Sequence, residues 1–152
     1  MPILGNAVNS QAGPASGGGT ITSALKLVSI GLVNADSIII KAGQPITLNN
    51  TGTGIIRANA AIVGRKAIGL ALSDTSVGFT VPFVDFGGFQ LSDWTAITGT
   101  VTLTVPAIYY LDIASGKLTT VAPTMPGQIV QQIGYSEKSN SLIVNIEKTI
   151  LL

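Results

Sequence analysis

The sequence predicts an all-β fold, a small β-sandwich or barrel of short antiparallel strands with a flexible N-terminal arm. From Ile21 onward, short runs rich in Val, Ile and Thr alternate with Gly, Asn, Asp, Ser and Pro at a spacing of about eight to twelve residues. Helix signals are weak, because the best helical run, Ile56–Ala67, is interrupted by Gly64. Asn9–Thr20 is a run of Gly, Ser, Ala and Pro without periodicity, which is typical of an extended arm.

Each predicted strand is a short apolar run bounded by turn residues. The runs are Leu25–Val33, Ile38–Lys41, Pro45–Leu48, Thr100–Val105, Ile108–Leu111 and Leu142–Ile146. Thr100–Val105 alternates strictly, as a half-buried strand does. Asn49–Gly54 is the strongest turn signal, and Asp112–Lys117 is another. Ser92-Asp93 before Trp94 predicts a short capped turn there.

A repeated pattern suggests two similar halves. Ile68-Gly69 and Ile133-Gly134 stand 65 positions apart (68 to 133), and a polar run and an apolar run follow each pair. Upstream, Leu48 and Leu111 are 63 positions apart, while Gly54 and Gly116 are 62 apart. We interpret each copy as a β-hairpin, with Gly69 and Gly134 marking a bulge or a close backbone approach. A phosphate-binding loop would need GxGxxG or GxxxxGK[ST] opening a helix, and the sequence has neither.

The chain of 152 residues has the length of one domain. We expect an extended Gly/Ser-rich arm over residues 1–20 and a β-domain over residues 21–152. Two similar β-units at about 38–95 and 96–152 are a further expectation within the β-domain.

The amino-acid composition argues against most kinds of catalytic, metal-binding and disulfide site. The chain has no Cys and no His, so it supplies no thiolate ligand, disulfide or Ser-His-Asp triad. We therefore expect a protein that is not an enzyme and that uses no metal or cofactor. A facing carboxylate pair such as Asp85 and Asp93, as in a glycosidase, stays open, although turn chemistry explains both residues.

The charge balance also limits the partners. Charged residues make up 10% of the chain, eight basic against seven acidic, and no basic stripe or apolar run of about 20 residues is present. We expect neither nucleic-acid nor membrane binding. So little charge favours burial against other subunits, although a surface rich in Ser, Thr, Asn and Gln is the alternative.

Two groups of apolar residues are candidates for such contacts. Ile3 and Leu4 lie at the tip of the arm and are suited to docking on a partner. Aromatic residues cluster between Phe79 and Trp94, and core packing is the simpler interpretation of this cluster. The alternative is an interface loop in which Phe86, Phe89 and Trp94 contact a partner.

Two segments of the sequence resemble structural proteins of tailed phages. KAGQPITLNN followed by KAIGLALSDTSVGFTVPFVDFGGFQL resembles small capsid decoration (cement) proteins, which carry an Ala-Gly-Gln-Pro strand, an Ile-Gly-hydrophobic-Ala strand and a Gly-x-x-Val strand. YYLDIASGKLTTVAPTMPGQIVQQIGYSEKSNSLIVNI resembles a module of phage virion structural β-proteins, including tail and head fibres. Together the segments cover about residues 41–146.

The resemblance implies a β-rich protein on the outer surface of an icosahedral capsid. Such a protein binds the major capsid protein, bridges its neighbouring subunits and is a homo-oligomer, with a trimer favoured and a dimer as the alternative. It would be produced in the host cytoplasm and reside in the virion, and it brings no catalytic residues. The alternative is a tail- or head-fibre module that attaches to a host-surface glycan.

Overall fold

Short β-strands form nearly all of the regular structure in the computed structural model, which describes residues 18–21, 26–28 and 31–152. This confirms the all-β prediction. In the described residues one short helix, α1 (Thr95–Thr98), accompanies the strands. The strands are β1 (Thr20–Ile21), β2 (Lys26–Val28), β3 (Val33–Asn34), β4 (Pro45–Leu48), β5 (Gly54–Arg57), β6 (Gly69–Ala71), β7 (Phe83–Gln90), β8 (Ala107–Leu111), β9 (Leu118–Thr119), β10 (Ile129–Val130), β11 (Gln132–Lys138), β12 (Ser141–Asn145) and β13 (Ile150–Leu151).

Eleven strands belong to one sheet. Its order is β3-β5-β4-β6-β7-β12-β11-β8-β9, and β1 and β2 also pair with β7. The pairs are antiparallel, except that β3 runs parallel to β5. Strands β10 and β13 form a separate antiparallel ribbon. Residues 1–17 of the expected arm lie outside the described residues, while Thr20 already pairs with Gln90.

The sheet contains the same four-strand arrangement twice. The order β5-β4-β6-β7 of a first unit is mirrored by β9-β8-β11-β12 of a second unit, and β7 pairs with β12 at the centre. The pairing register of the two units also matches. Within each strand, equivalent residues of the two units differ in residue number by a constant amount. The matched pairs are Leu48–Ile55 with Leu111–Leu118, Ile46–Gly69 with Tyr109–Gly134, Pro45–Leu70 with Ile108–Tyr135, Leu70–Val84 with Tyr135–Ile143, and Ala71–Phe83 with Ser136–Leu142.

The register corrects one detail of the sequence repeat. The N–H of Asn49 donates to the carbonyl of Gly54 at 2.8 Å, and the N–H of Asp112 donates to that of Lys117 at 3.1 Å. Gly54 therefore corresponds to Lys117 and not to Gly116. The separation of 62 positions between the two glycines is one residue shorter than the true separation of equivalent residues. The two units lie inside the ranges 38–95 and 96–152 that the sequence suggests.

The two expected hairpins have different outcomes. Strands β11 and β12 form a hairpin closed by Ser139 and Asn140, as predicted. Strands β6 and β7 are antiparallel neighbours, but the connection runs from Leu72 to Pro82. The returning strand therefore begins at Phe83, after the expected run that ends at Val81.

The strand predicted at Thr100–Val105 is wrong. Its peptide groups bond to scattered partners instead of one neighbouring strand. The N–H of Leu103 donates to the carbonyl of Ser139 at 2.7 Å, and the N–H of Thr104 donates to the hydroxyl of Tyr109 at 2.8 Å. Only Leu103 of the three alternating apolar side chains is buried, so the segment is a loop held by one anchor.

Two other predicted strands are shorter than expected. Within Ile38–Lys41 only Ile40 is paired, through an isolated bridge to Thr75. Within Leu25–Val33 the described strand residues are Lys26–Val28 and Val33. Pro45–Leu48, Ile108–Leu111 and Leu142–Asn145 are strands as predicted. The Asp93 side chain of the predicted turn accepts from the Thr95 N–H at 2.8 Å, and the short helix α1 follows Trp94.

The core has two parts because most of the first unit, apart from the end of β7, is buried on both faces. Its Leu70 and Val84 pack into a larger core together with Tyr109, Ile133 and Leu142 of the second unit. Its opposite face forms a smaller core of Ile40, Ile46, Ile55, Ala71, Val81 and Phe83. The described residues of the second unit contribute one face to these cores, and the other face carries exposed side chains.

Candidate interaction surface

The face of the second unit that points away from the larger core carries exposed apolar side chains. Strand pairing places Ile108, Tyr135, Ile143 and Gly88 in one row across β8, β11, β12 and β7. Side chains alternate along a strand, so Phe86 lies on the same face as Gly88, two residues away. Phe86 is 54% exposed, Ile108 45% and Tyr135 39%. We call Phe86, Ile108, Tyr135 and Ile143 the outer face.

The matching row of the first unit is covered. The equivalents of Ile108, Tyr135 and Ile143 are Pro45, Leu70 and Val84, as the matched registers require. All three equivalents are buried. The same row is thus inside the protein in one unit and at its surface in the other. A contiguous exposed apolar face of this kind marks an interaction site more often than isolated apolar side chains do.

The outer face has polar neighbours, one of which is charged. Gln132 pairs with Tyr110, and Phe86 pairs with both Asn145 and Lys26. A shallow groove of about 440 Å³ runs beside Tyr135 and is lined by Pro106, Ala107, Ile108, Gln132, Tyr135 and Ser136. An aromatic and aliphatic centre with polar groups around it is the usual make-up of a protein-binding surface.

The structure separates the predicted contact residues. Phe86 is exposed on the outer face, whereas Phe89 and Trp94 are fully buried. Their rings pack edge to face with centroids 6.1 Å apart, and the Trp94 indole N–H donates to the carbonyl of Asn140 at 3.2 Å. The interface interpretation is therefore wrong for Phe89 and Trp94, because both side chains belong to the core. Ile3 and Leu4 lie outside the described residues.

The carboxylates that form ion pairs serve local structure. Asp36 accepts from the Arg57 Nε at 2.8 Å, and the Arg57 backbone N–H also donates to it at 3.0 Å. Asp74 binds Lys41 Nζ at 3.0 Å and accepts from the Ala42 N–H at 2.9 Å. Among the described residues, no group of three or more acidic side chains is placed to hold a metal ion.

Asp85 and Asp93, the open carboxylate pair, lie in different settings. Asp85 is half-buried in β7, and Asp93 is exposed just before α1. The Thr95 side chain and backbone N–H donate to Asp93 and hold the pKa of its carboxyl below the usual value. A general acid needs a raised pKa, so the shift at Asp93 is in the opposite direction.

A second groove, of about 450 Å³, lies where the two units meet. It is lined by Lys66, Ala67, Gln131, Ile146, Glu147, Lys148 and Thr149. Its buried polar side chain, Gln131, already accepts from the Ala67 N–H at 2.7 Å and donates to the carbonyls of Ala67 and Glu147. These bonds join the units and use both donor hydrogens of the amide.

Comparison with known proteins assigns the chain to no family: no family model matches it, and no curated protein matches its sequence. The described residues include no helix that is long and apolar enough to cross a membrane.

Proposed function

We propose that this chain is a virion structural protein of a phage. In this proposal it binds the outer surface of the capsid and stabilises the shell by bridging major capsid subunits. The outer face is its contact surface, and the arm is a second contact. The observation that carries the proposal is an exposed apolar sheet face, whose equivalent row in the first unit is buried. The resemblance of residues 41–146 to decoration proteins and phage structural modules supports the same reading.

In the proposed mechanism, each copy in a symmetric homo-oligomer buries its apolar outer face against the capsid. Removing apolar surface from water contributes roughly 25 cal/mol per Å², so a patch of a few side chains gives a modest affinity by itself. A homo-oligomer engages several capsid subunits at once, which raises the overall affinity without a new kind of contact. The proposal includes no catalytic step, cofactor, nucleic acid or membrane.

The first experiment tests the outer face. Phe86→Ser and Tyr135→Ser are added to shells that lack the protein, and bound protein is measured by co-sedimentation and cryo-electron microscopy. Val63→Ser is a matched control, because Val63 is 61% exposed in a turn away from the outer-face strands. We expect the two outer-face variants to lose occupancy and the control to keep it. Full occupancy by both outer-face variants would remove the outer face from the proposal.

The second experiment tests the arm, including Ile3 and Leu4. Gly18 and Thr20 pair with the β-domain, so the deletion should stop at residue 17. The truncated protein is expected to unfold at an unchanged denaturant concentration and to occupy fewer sites on shells. Unchanged occupancy would exclude the arm as a capsid contact.

The alternative function is a tail- or head-fibre module that binds a host-surface glycan. The groove beside Tyr135 favours it, because an aromatic ring next to the Gln132 amide suits sugar stacking and hydrogen bonding. A glycan array with the wild-type protein and Tyr135→Ser distinguishes the two functions. Binding that depends on Tyr135, together with no binding to shells, would favour the fibre module over capsid decoration.

A further inference from the structure

Among the strands that the structure describes, the ribbon of β10 and β13 has one open edge, and this edge belongs to β13. Strand β10 is flanked on both sides, since the Ile129 N–H donates to the carbonyl of Ala60 at 2.9 Å and β10 pairs with β13. Beyond the strand, Leu152 continues the pairing by donating to the carbonyl of Gln128 at 2.9 Å. In the part of the chain that the structure describes, β13 has no second strand neighbour.

The side chains of β13 are unusual for an open edge. Ile150 and Leu151 are 63% and 61% exposed, and as consecutive strand residues they point to opposite faces. Proteins normally protect an open edge with charged side chains, proline or a bulge, and Thr149–Leu152 contains no charged side chain and no proline. A ribbon of two strands is also marginal in stability by itself.

We propose that β13 pairs antiparallel with β13 of a second copy of this chain, across a twofold axis. The result is a four-stranded sheet in the order β10-β13-β13-β10, which exceeds the minimum for a stable sheet. The inference does not rest on the proposed capsid function, because the contact forms between purified copies.

Two observations favour a second copy as the partner. Strand β13 already accepts one antiparallel aliphatic strand, Ile129–Val130, on its other edge, and a second Ile150–Leu151 offers the same chemistry. A twofold contact is self-complementary, so each residue near the axis meets its own kind. Charged side chains near the axis would oppose like charges, and Thr149–Leu152 has none.

The test measures the mass of the full chain in solution by sedimentation equilibrium. The wild type is expected to form a dimer, and Leu151→Lys is expected to raise its dissociation constant at least about tenfold, since the variant puts a charge into the strand contact. Val63→Lys is the control, with the same 61% exposure outside the ribbon, and should leave the dimer unchanged. A monomeric wild type, a trimer, or a dimer unaffected by Leu151→Lys would overturn the proposal.

Cross-linking gives a second readout that does not depend on loss of binding. The chain has no Cys, so a single substitution introduces one thiol per copy. Residues opposite each other in an antiparallel pair are about 4.5–5.5 Å apart at Cα, which suits a disulfide. Thr149→Cys, Ile150→Cys, Leu151→Cys and Leu152→Cys are oxidised singly and in mixtures, with Val63→Cys as control. We expect a covalent dimer from at least one residue or mixture of the strand; none from any of them would overturn the twofold pairing.

Discussion

Gly69 and Gly134 occupy equivalent positions in the two units, and each leaves room for the strand beside it. Gly69 pairs with Ile46, and Gly134 pairs with Tyr109, in the same register. A Cβ at either glycine would collide with matching residues of the next strand, which are Phe83 and Val84 for Gly69 and Leu142 and Ile143 for Gly134. The glycine of the repeated Ile-Gly pair is therefore required for close packing of neighbouring strands in both units.

The first prediction follows from this close approach. Gly69→Ala and Gly134→Ala should each lower the free energy of unfolding by about 1–3 kcal/mol, because the added methyl group overpacks the sheet. Gly18→Ala is the control, since the nearest atom to its Cβ would be the Leu72 carbonyl oxygen at 3.8 Å. Urea unfolding of the three variants measures the difference. Equal stability of Gly134→Ala and the wild type would contradict the close approach.

The second prediction separates core aromatics from the surface aromatic. Phe89→Ala and Trp94→Ala should each cost about 3–5 kcal/mol of stability, as expected for large core side chains. Phe86→Ala should stay within about 0.5 kcal/mol, because Phe86 is exposed. The midpoints of urea unfolding give the comparison. A loss for Phe86→Ala as large as that for Phe89→Ala would mean that Phe86 is part of the core.

Features set by local chemistry were predictable from the sequence. The turn Asn49–Gly54 was predicted because Asn and Gly suit a tight turn, and the Asn49 side chain accepts from the Thr53 N–H at 2.9 Å. The hairpin after Gly134 was predicted for the same reason. The equivalence of Gly69 and Gly134 was also visible, because the backbone approach admits only a residue without a side chain.

Features set by distant neighbours were not predictable. Thr100–Val105 alternates like a strand, but none of the strands in the described part of the chain lies beside it to pair with its peptide groups. Phe86 and Phe89 look alike in the sequence, and only pairing with Asn145 and Leu142 decides that the first points outward and the second inward. The outer face was missed because a register shift between Gln132 and Gly134 sets which side of β11 is exposed.

The third prediction concerns pH. Partial burial raises the pKa of the Asp36 carboxyl, but hydrogen bonds from the Arg57 side chain and backbone and from the Ser37 backbone, with the Arg57 charge, lower it to about 2 from 3.8. Because the folded pKa lies below the unfolded value, the pair stabilises the protein above about pH 4, and this contribution is lost as the pH falls towards 2.

Asp36→Asn tests this contribution. At pH 7 the variant should be about 1–2 kcal/mol less stable than the wild type, a figure that allows for partial solvent screening of the pair. Near pH 2 the two proteins should have nearly equal stability. Urea unfolding at both pH values gives the result. A difference that stays constant between pH 7 and pH 2 would show that the charge of Asp36 does not contribute.

The fourth prediction concerns Gln131, which joins the two units. Its side chain accepts from the Ala67 N–H at 2.7 Å and donates to the Ala67 carbonyl at 3.0 Å, so it acts like a short piece of neighbouring strand. Gln131→Leu keeps the volume but leaves both backbone groups of Ala67 without this partner. A buried polar group without a partner costs about 1–3 kcal/mol, so we expect a loss of about 2–3 kcal/mol in urea unfolding.

Gln132→Leu is the matched control, because Gln132 is the next residue and is only half-buried. It should change stability by less than about 0.5 kcal/mol. Hydrogen exchange adds a local readout, since the Ala67 amide should lose protection in Gln131→Leu and keep it in Gln132→Leu. Because Ala67 belongs to the first unit and Gln131 to the second, faster exchange at Ala67 without global unfolding would locate the loss at the junction between them. An Ala67 amide that stays protected in Gln131→Leu would mean that the junction is held by the shared core and not by this side chain.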